Sequence, residues 1–218
     1  MLLSLPAILY ALSVHELAHG FVAHKLGDHT ARNFGRLSFN PLRHIDPIGF
    51  IGLLFFRFGW AKPVPINARN FQKPRRDMAL TALAGPVSNL LSAFVFGFLY
   101  VFVEKLFLTY FYNNMLTISE RVITLGSALC NIIYAFVIIN ISLAIFNLIP
   151  VPPLDGSRIV DSFLPPKIYL AYHKYEQYIS IGLIVLLVFT DIFSVVIGSA
   201  VGFVENIILY IPQKVFYI

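Results

Sequence analysis

Residues 2–25 read LLSLPAILYALSVHELAHGFVAHK, an apolar run broken by His15, Glu16 and His19. About 20 apolar residues, rising about 1.5 Å each, cross a hydrocarbon core of about 30 Å, so Leu2 to Ala23 has the length of a membrane span. No Lys or Arg precedes Lys25. That order inverts the charge pattern of a secretory signal, and the segment is expected to be retained. A charged group within a span costs roughly 2–3 kcal/mol. Three ionisable residues within five therefore point to function. His15 and His19 stand one helical turn apart and about 40° around the axis. Both imidazoles can reach one zinc ion, with Glu16 beside them to move a proton. The plain alternative is a polar contact between helices made by two neutral histidines.

The rest of the chain agrees with a membrane setting. Of 218 residues, 58% are apolar and 12% charged, about half the charged share usual in soluble domains; mean hydropathy is +0.77. Further spans are expected at about Met78–Val103, Val122–Ile149 and Ile168–Thr190. The apolar stretch Ile192–Ile211 carries Glu205 and reads equally as a fifth span, a re-entrant piece or an interfacial helix. The expectation is an α-helical polytopic membrane protein with about four transmembrane helices and a single membrane-embedded domain over residues 1–218.

The net charge of +5 does not imply nucleic acid, because the cations are gathered in one loop. Between His24 and Asp77 there are ten Lys/Arg (residues 25, 32, 36, 43, 57, 62, 69, 73, 75 and 76) against Asp28, Asp46 and Asp77. By the positive-inside rule that loop and the one after the third span face the cytoplasm, with the N-terminus outside. A multi-pass protein of the cell membrane is expected. The lone Cys130 excludes an internal disulfide and reads as helix packing.

Within the basic loop, the stretches from Gly35 to Phe39 and from Ala61 to Asn67 contain β-formers bounded by Pro, Gly and Asn. Between them Ile48–Phe56 is apolar but too short to span. A short β-hairpin or re-entrant loop fits, as does an ordinary loop resting on the membrane surface.

Two histidines leave zinc short of a protein ligand. Asp155 follows the third span at the same end as His19, in Asn147-Leu-Ile-Pro-Val-Pro-Pro-Leu-Asp-Gly156. On these residues alone it reads either as a third ligand or as the N-cap of a following short helix. His24, His29, His44 and His173 read as loop or interface residues, and Asp191 as a cap of the fourth span.

HELAH at His15–His19, the LDG turn at Leu154–Gly156 and Ala84-Gly-Pro-Val-Ser-Asn89 on the second span together resemble the site-2 protease family of intramembrane zinc metalloproteases. The likeness covers about residues 10–165 and is to the compact form without a PDZ or other regulatory domain. It implies one zinc ion per chain held by His15, His19 and Asp155, with Glu16 as catalytic acid–base. It also implies Asn147 near the substrate, Asn89 in a structural or substrate-facing position, and a membrane-protein substrate cut within or beside the lipid bilayer. A metal or ion transporter needs no Glu beside the first His and commonly shows repeats, which are missing here. A non-catalytic scaffold has no need to keep Glu16 and all the ligands. Substrate identity and oligomeric state are not legible.

Overall fold

The computed structural model describes residues 2–56, 59, 61–115, 117–189 and 192–217; Asp191 lies outside them. Among the described residues eight α-helices follow one another: α1 (Leu5–Lys25), α2 (Thr30–Asn33), α3 (Pro47–Phe56), α4 (Pro74–Asn113), α5 (Glu120–Asn147), α6 (Asp155–Asp161), α7 (Pro166–Phe189) and α8 (Ile192–Tyr217). Among the described residues, α1, α4 and α5 are long and apolar enough to cross a membrane. The chain is an integral membrane protein.

Helix α1 starts with Pro6 in its first turn, where the missing N–H is no loss. It ends as Gly27 takes φ 107° and the Asp28 N–H returns to the Ala23 carbonyl at 2.9 Å. Helix α4 has 40 residues, about 60 Å of helix. It runs well past the expected end at Val103 and takes in Glu104 and Lys105.

Packed against α1, α5, α6 and α8, helix α4 is the centre of the bundle. Ala93, Val137, Ile141, Val201 and Ile208 form an apolar core between α4, α5 and α8. Small Gly97 admits α8, since a Cβ there would stand 3.1 Å from Ile208 Cγ2. The C-terminal apolar stretch is therefore a helix lying along α4 and α5, and Glu205 on it accepts from the Tyr134 hydroxyl at 2.6 Å. His173 sits on α7, not in a loop. Leu91, Val95, Leu125 and Leu129 face outward, while Thr81, Asn89, Asn140, His15 and His19 are buried. Apolar outside and polar within is the arrangement that lipid favours.

The described part of the basic loop is held in place without being a sheet. Among the described residues no strand forms, and the two stretches expected to pair meet in one isolated antiparallel bridge, Ile45–Ala61. Pro63 and Pro65 carry no N–H, so a ladder cannot extend from that bridge. The apolar piece between them is helix α3. Asp46 Oδ1 caps it by accepting from the Ile48 and Gly49 N–H groups at 3.0 and 2.9 Å, and Pro47 opens its first turn.

Side chains do the remaining work. Buried Arg36 donates to the carbonyls of Arg43, Lys62 and Pro63. The Asp28 carboxylate accepts from the N–H groups of Thr30 and Asn67, the Thr30 hydroxyl and the Asn70 amide. These two hubs fix the extended segment of residues 61–67 beside α1.

Candidate metal centre

His15 and His19 project from α1 into the bundle and are almost wholly buried. Their rings meet edge to face, centroids 4.5 Å apart. Each Nδ1 is occupied from behind. His19 Nδ1 lies 2.7 Å from the Thr81 carbonyl, which only accepts, so Nδ1 carries the proton. His15 Nδ1 lies 2.6 Å from Asn89 Oδ1, and the Asn89 amide nitrogen is turned the other way, donating to the Ala11 carbonyl at 3.0 Å. Both imidazoles thus present Nε2 as the free lone pair.

Asp155 meets them from the other side. Its Oδ2 lies 3.0 Å from His15 Nε2 and 3.2 Å from His19 Nε2. Asp155 is the first residue of α6 and Leu154 holds the N-cap position, with no side-chain cap bond. The capping role open on sequence grounds is not the one adopted. Gly156 makes the turn possible: a Cβ there would collide with the carbonyl oxygens of Leu148 and Ile149.

Three acceptor atoms, one on each residue, lie within 4.8 Å of one another. With both Nδ1 atoms protonated, no donor stands among them, and facing lone pairs without a proton or cation between them repel. Zinc bonds of about 2.0–2.1 Å in tetrahedral geometry place neighbouring ligand atoms about 3.3 Å apart. The observed separations of 3.0 and 3.2 Å fit that ion.

Glu16 occupies the same turn of α1, half-buried. Its Oε2 accepts from the Val64 N–H at 2.8 Å, so the ordered loop holds the carboxylate beside the centre. Asn147 ends α5 and donates within its own helix to the Leu143 carbonyl at 3.0 Å. Asn89 is completely buried behind His15, which favours support over contact with substrate.

The match to peptidase family M50 spans residues 4–190. The chain belongs to that family. This M50 chain is 40% identical over 194 residues to YwhC of Bacillus subtilis, covering 89% of this chain and 81% of that protein. It is 27% identical to Rip2 of Mycolicibacterium smegmatis, covering 83% of this chain and 64% of Rip2. To MJ0611 of Methanocaldococcus jannaschii it is 28% identical, with 70% and 71% covered. The names of all three include the words zinc metalloprotease. No solved structure matches the chain. Family, relatives and the apolar helices make the M50 chain an intramembrane zinc metalloprotease whose substrate is protein.

Motif reading missed three participants in this M50 centre. The Thr81 carbonyl and the Val64 N–H are backbone groups, which no residue pattern identifies. Gly85 reads only as part of the Ala84–Asn89 motif, yet a Cβ on it would stand 2.5 Å from His19 Nε2 and 2.6 Å from His15 Cε1.

Proposed function

We propose that His15, His19 and Asp155 hold one zinc ion and that Glu16 is the acid–base for hydrolysis of a membrane-spanning or membrane-proximal peptide. The observation that carries this is the convergence of three acceptors, with both imidazole tautomers fixed from behind and Glu16 in the same helical turn. Zinc, when bound, supplies Lewis-acid polarisation of water and of the scissile carbonyl. Glu16 takes the proton of the attacking water and passes it to the leaving nitrogen. The Val64 N–H holds Oε2 and leaves Oε1 as the oxygen that handles the proton. Asn147 is the substrate-facing asparagine at the mouth of the α5–α6 turn, and Asn89 supports His15.

A substrate helix satisfies its own backbone and must unwind before attack. The extended segment at 61–67 lies beside Glu16 and borders the place the unwound strand must reach. In this reading residues 1–218 form one peptidase domain, α7 supplies the fourth span, the basic loop faces the cytoplasm, and the site lies toward that side of the cell membrane.

The test is Glu16→Gln in the full chain, co-expressed with candidate membrane substrates. The variant should keep about one zinc per chain and lose cleavage, because an amide cannot take the water's proton. Cleavage at the natural rate by the variant would remove Glu16 from the mechanism.

A further inference from the structure

We infer that Asn140, in the middle of α5, is a positioning residue for the zinc site, acting through Asn89 on His15. This rests on the reading of His15 as a ligand. Asn140 is completely buried, the one amide side chain within the apolar run Ile138-Ile139-Asn140-Ile141. Its Nδ2 donates to the Phe136 carbonyl at 2.7 Å. That bond turns Oδ1 toward α4, where it accepts from Asn89 Nδ2 at 2.8 Å. The same Nδ2 donates its second hydrogen to the Ala11 carbonyl of α1 at 3.0 Å. Both donors of Asn89 are thereby committed, so Oδ1 alone faces His15 Nδ1 at 2.6 Å.

An amide is nearly symmetric in shape, and only its partners decide which end faces the imidazole. Were the Asn89 amide reversed, its NH2 would point at His15 Nδ1 and draw the ring proton to Nε2, the atom that faces Asp155. A ligand nitrogen that carries a proton cannot bind a metal. Ala11 opposes the reversal with one carbonyl and Asn140 with a second. The relay Phe136–Asn140–Asn89–His15 crosses α5, α4 and α1, and makes a tautomer on α1 depend on a side chain of α5.

The experiment measures zinc affinity of the full-length protein in detergent, by competition with a chromophoric chelator. The variants are Asn140→Leu, Asn140→Ser, Asn140→Asp, Asn89→Leu, Asn89→Leu/Asn140→Leu and His15→Ala. Asn140→Leu and Asn140→Ser should each bind zinc roughly 10–100-fold more weakly, as loss of a partner behind a ligand histidine does. Ser serves where Leu does not yield a folded chain, its hydroxyl being too short to reach Asn89. Asn140→Asp keeps the accepting oxygen and should stay within about threefold of the natural chain. In the Asn89→Leu background, Asn140→Leu should add less than about twofold, since the path to His15 is already cut. An equal penalty with and without Asn89, or natural affinity in Asn140→Leu or Asn140→Ser, overturns the inference. His15→Ala separates the two levels. If it leaves zinc binding intact, the ligand assignment has failed. If it abolishes binding while Asn140 changes nothing, only the relay has.

Discussion

Gly85 of α4 lies against the imidazole of His19, so close that a Cβ on it would stand 2.5 Å from Nε2. At this position no side chain fits between α4 and the two histidines. Gly85→Ala should push both rings off Asp155 and lower zinc affinity at least about tenfold, with a stability loss of about 1–3 kcal/mol from overpacking. Chelator competition and thermal melting read the two effects. Natural zinc affinity in the variant would show that the helices separate freely here.

Val64→Pro removes the one N–H that binds Glu16 while suiting the extended backbone between Pro63 and Pro65. Zinc content should stay near one per chain and kcat should fall roughly 10-fold or more, as when a hydrogen bond to a charged group is lost. A loss of zinc in step with activity would mean that the loop supports the ligands, not the carboxylate.

Gly156→Ala should act through Asp155. The added methyl meets the carbonyls of Leu148 and Ile149, so α6 must shift and carry its first residue with it. Both zinc affinity and cleavage should drop, while Gly97→Ala, away from the site at the α4–α8 contact, should spare zinc binding. Equal zinc affinity in the two variants would contradict the placement of Asp155.

Burial by itself pushes the Asp28 carboxyl up from its ordinary 3.8, but hydrogen bonds from Thr30, Asn67 and Asn70 outweigh it and hold the group below that value. A carboxyl with a lower pKa folded than unfolded adds stability above its unfolded value of about 3.9. That contribution is lost as pH falls through the folded value. Asp28→Asn should therefore melt below the natural chain at pH 7, and the gap between them should narrow below about pH 4. A gap that stays constant down to pH 3 would assign the stabilisation to shape, not charge.

Single cysteines placed in the Lys25–Arg76 loop, with Cys130 replaced, should resist an impermeant thiol reagent in intact cells and react after lysis. Labelling in intact cells would put the basic loop outside and reverse the proposed orientation.

How much of this was legible depends on which atoms do the work. His15, Glu16 and His19 stand out because ionisable groups are rare in a span, and their helix was readable from apolar length alone. Asp155 was readable as a candidate, and its place beside the two histidines instead of at the cap needed the α5–α6 turn in three dimensions. Of the readings open for the first loop, the β-hairpin came from alternation that resembles strands, and no strand forms among the described residues; the Asp46-Pro47 cap signal for α3 was there to be weighed against it. The far end of α4 was also hidden, because Glu104 and Lys105 look like a loop while Tyr100 accommodates Glu104 through a hydroxyl bond of 2.5 Å. Asn140 carried a signal, a lone amide in an apolar span, without any indication of what it faces.

Arg36 gives the loop a meaning for protein engineering. The cluster of His15, His19 and Asp155 is assembled by α1, α4, α5 and the turn before α6, and those pieces transplanted into another helical bundle would carry a candidate metal site with them. The neighbours of Val64 are held elsewhere, by a guanidinium clamped on the carbonyls of Lys62 and Pro63. A graft without that clamp inherits the three-residue cluster but leaves Glu16 unsteered, so what such a graft would still need lies in the loop between α1 and α4.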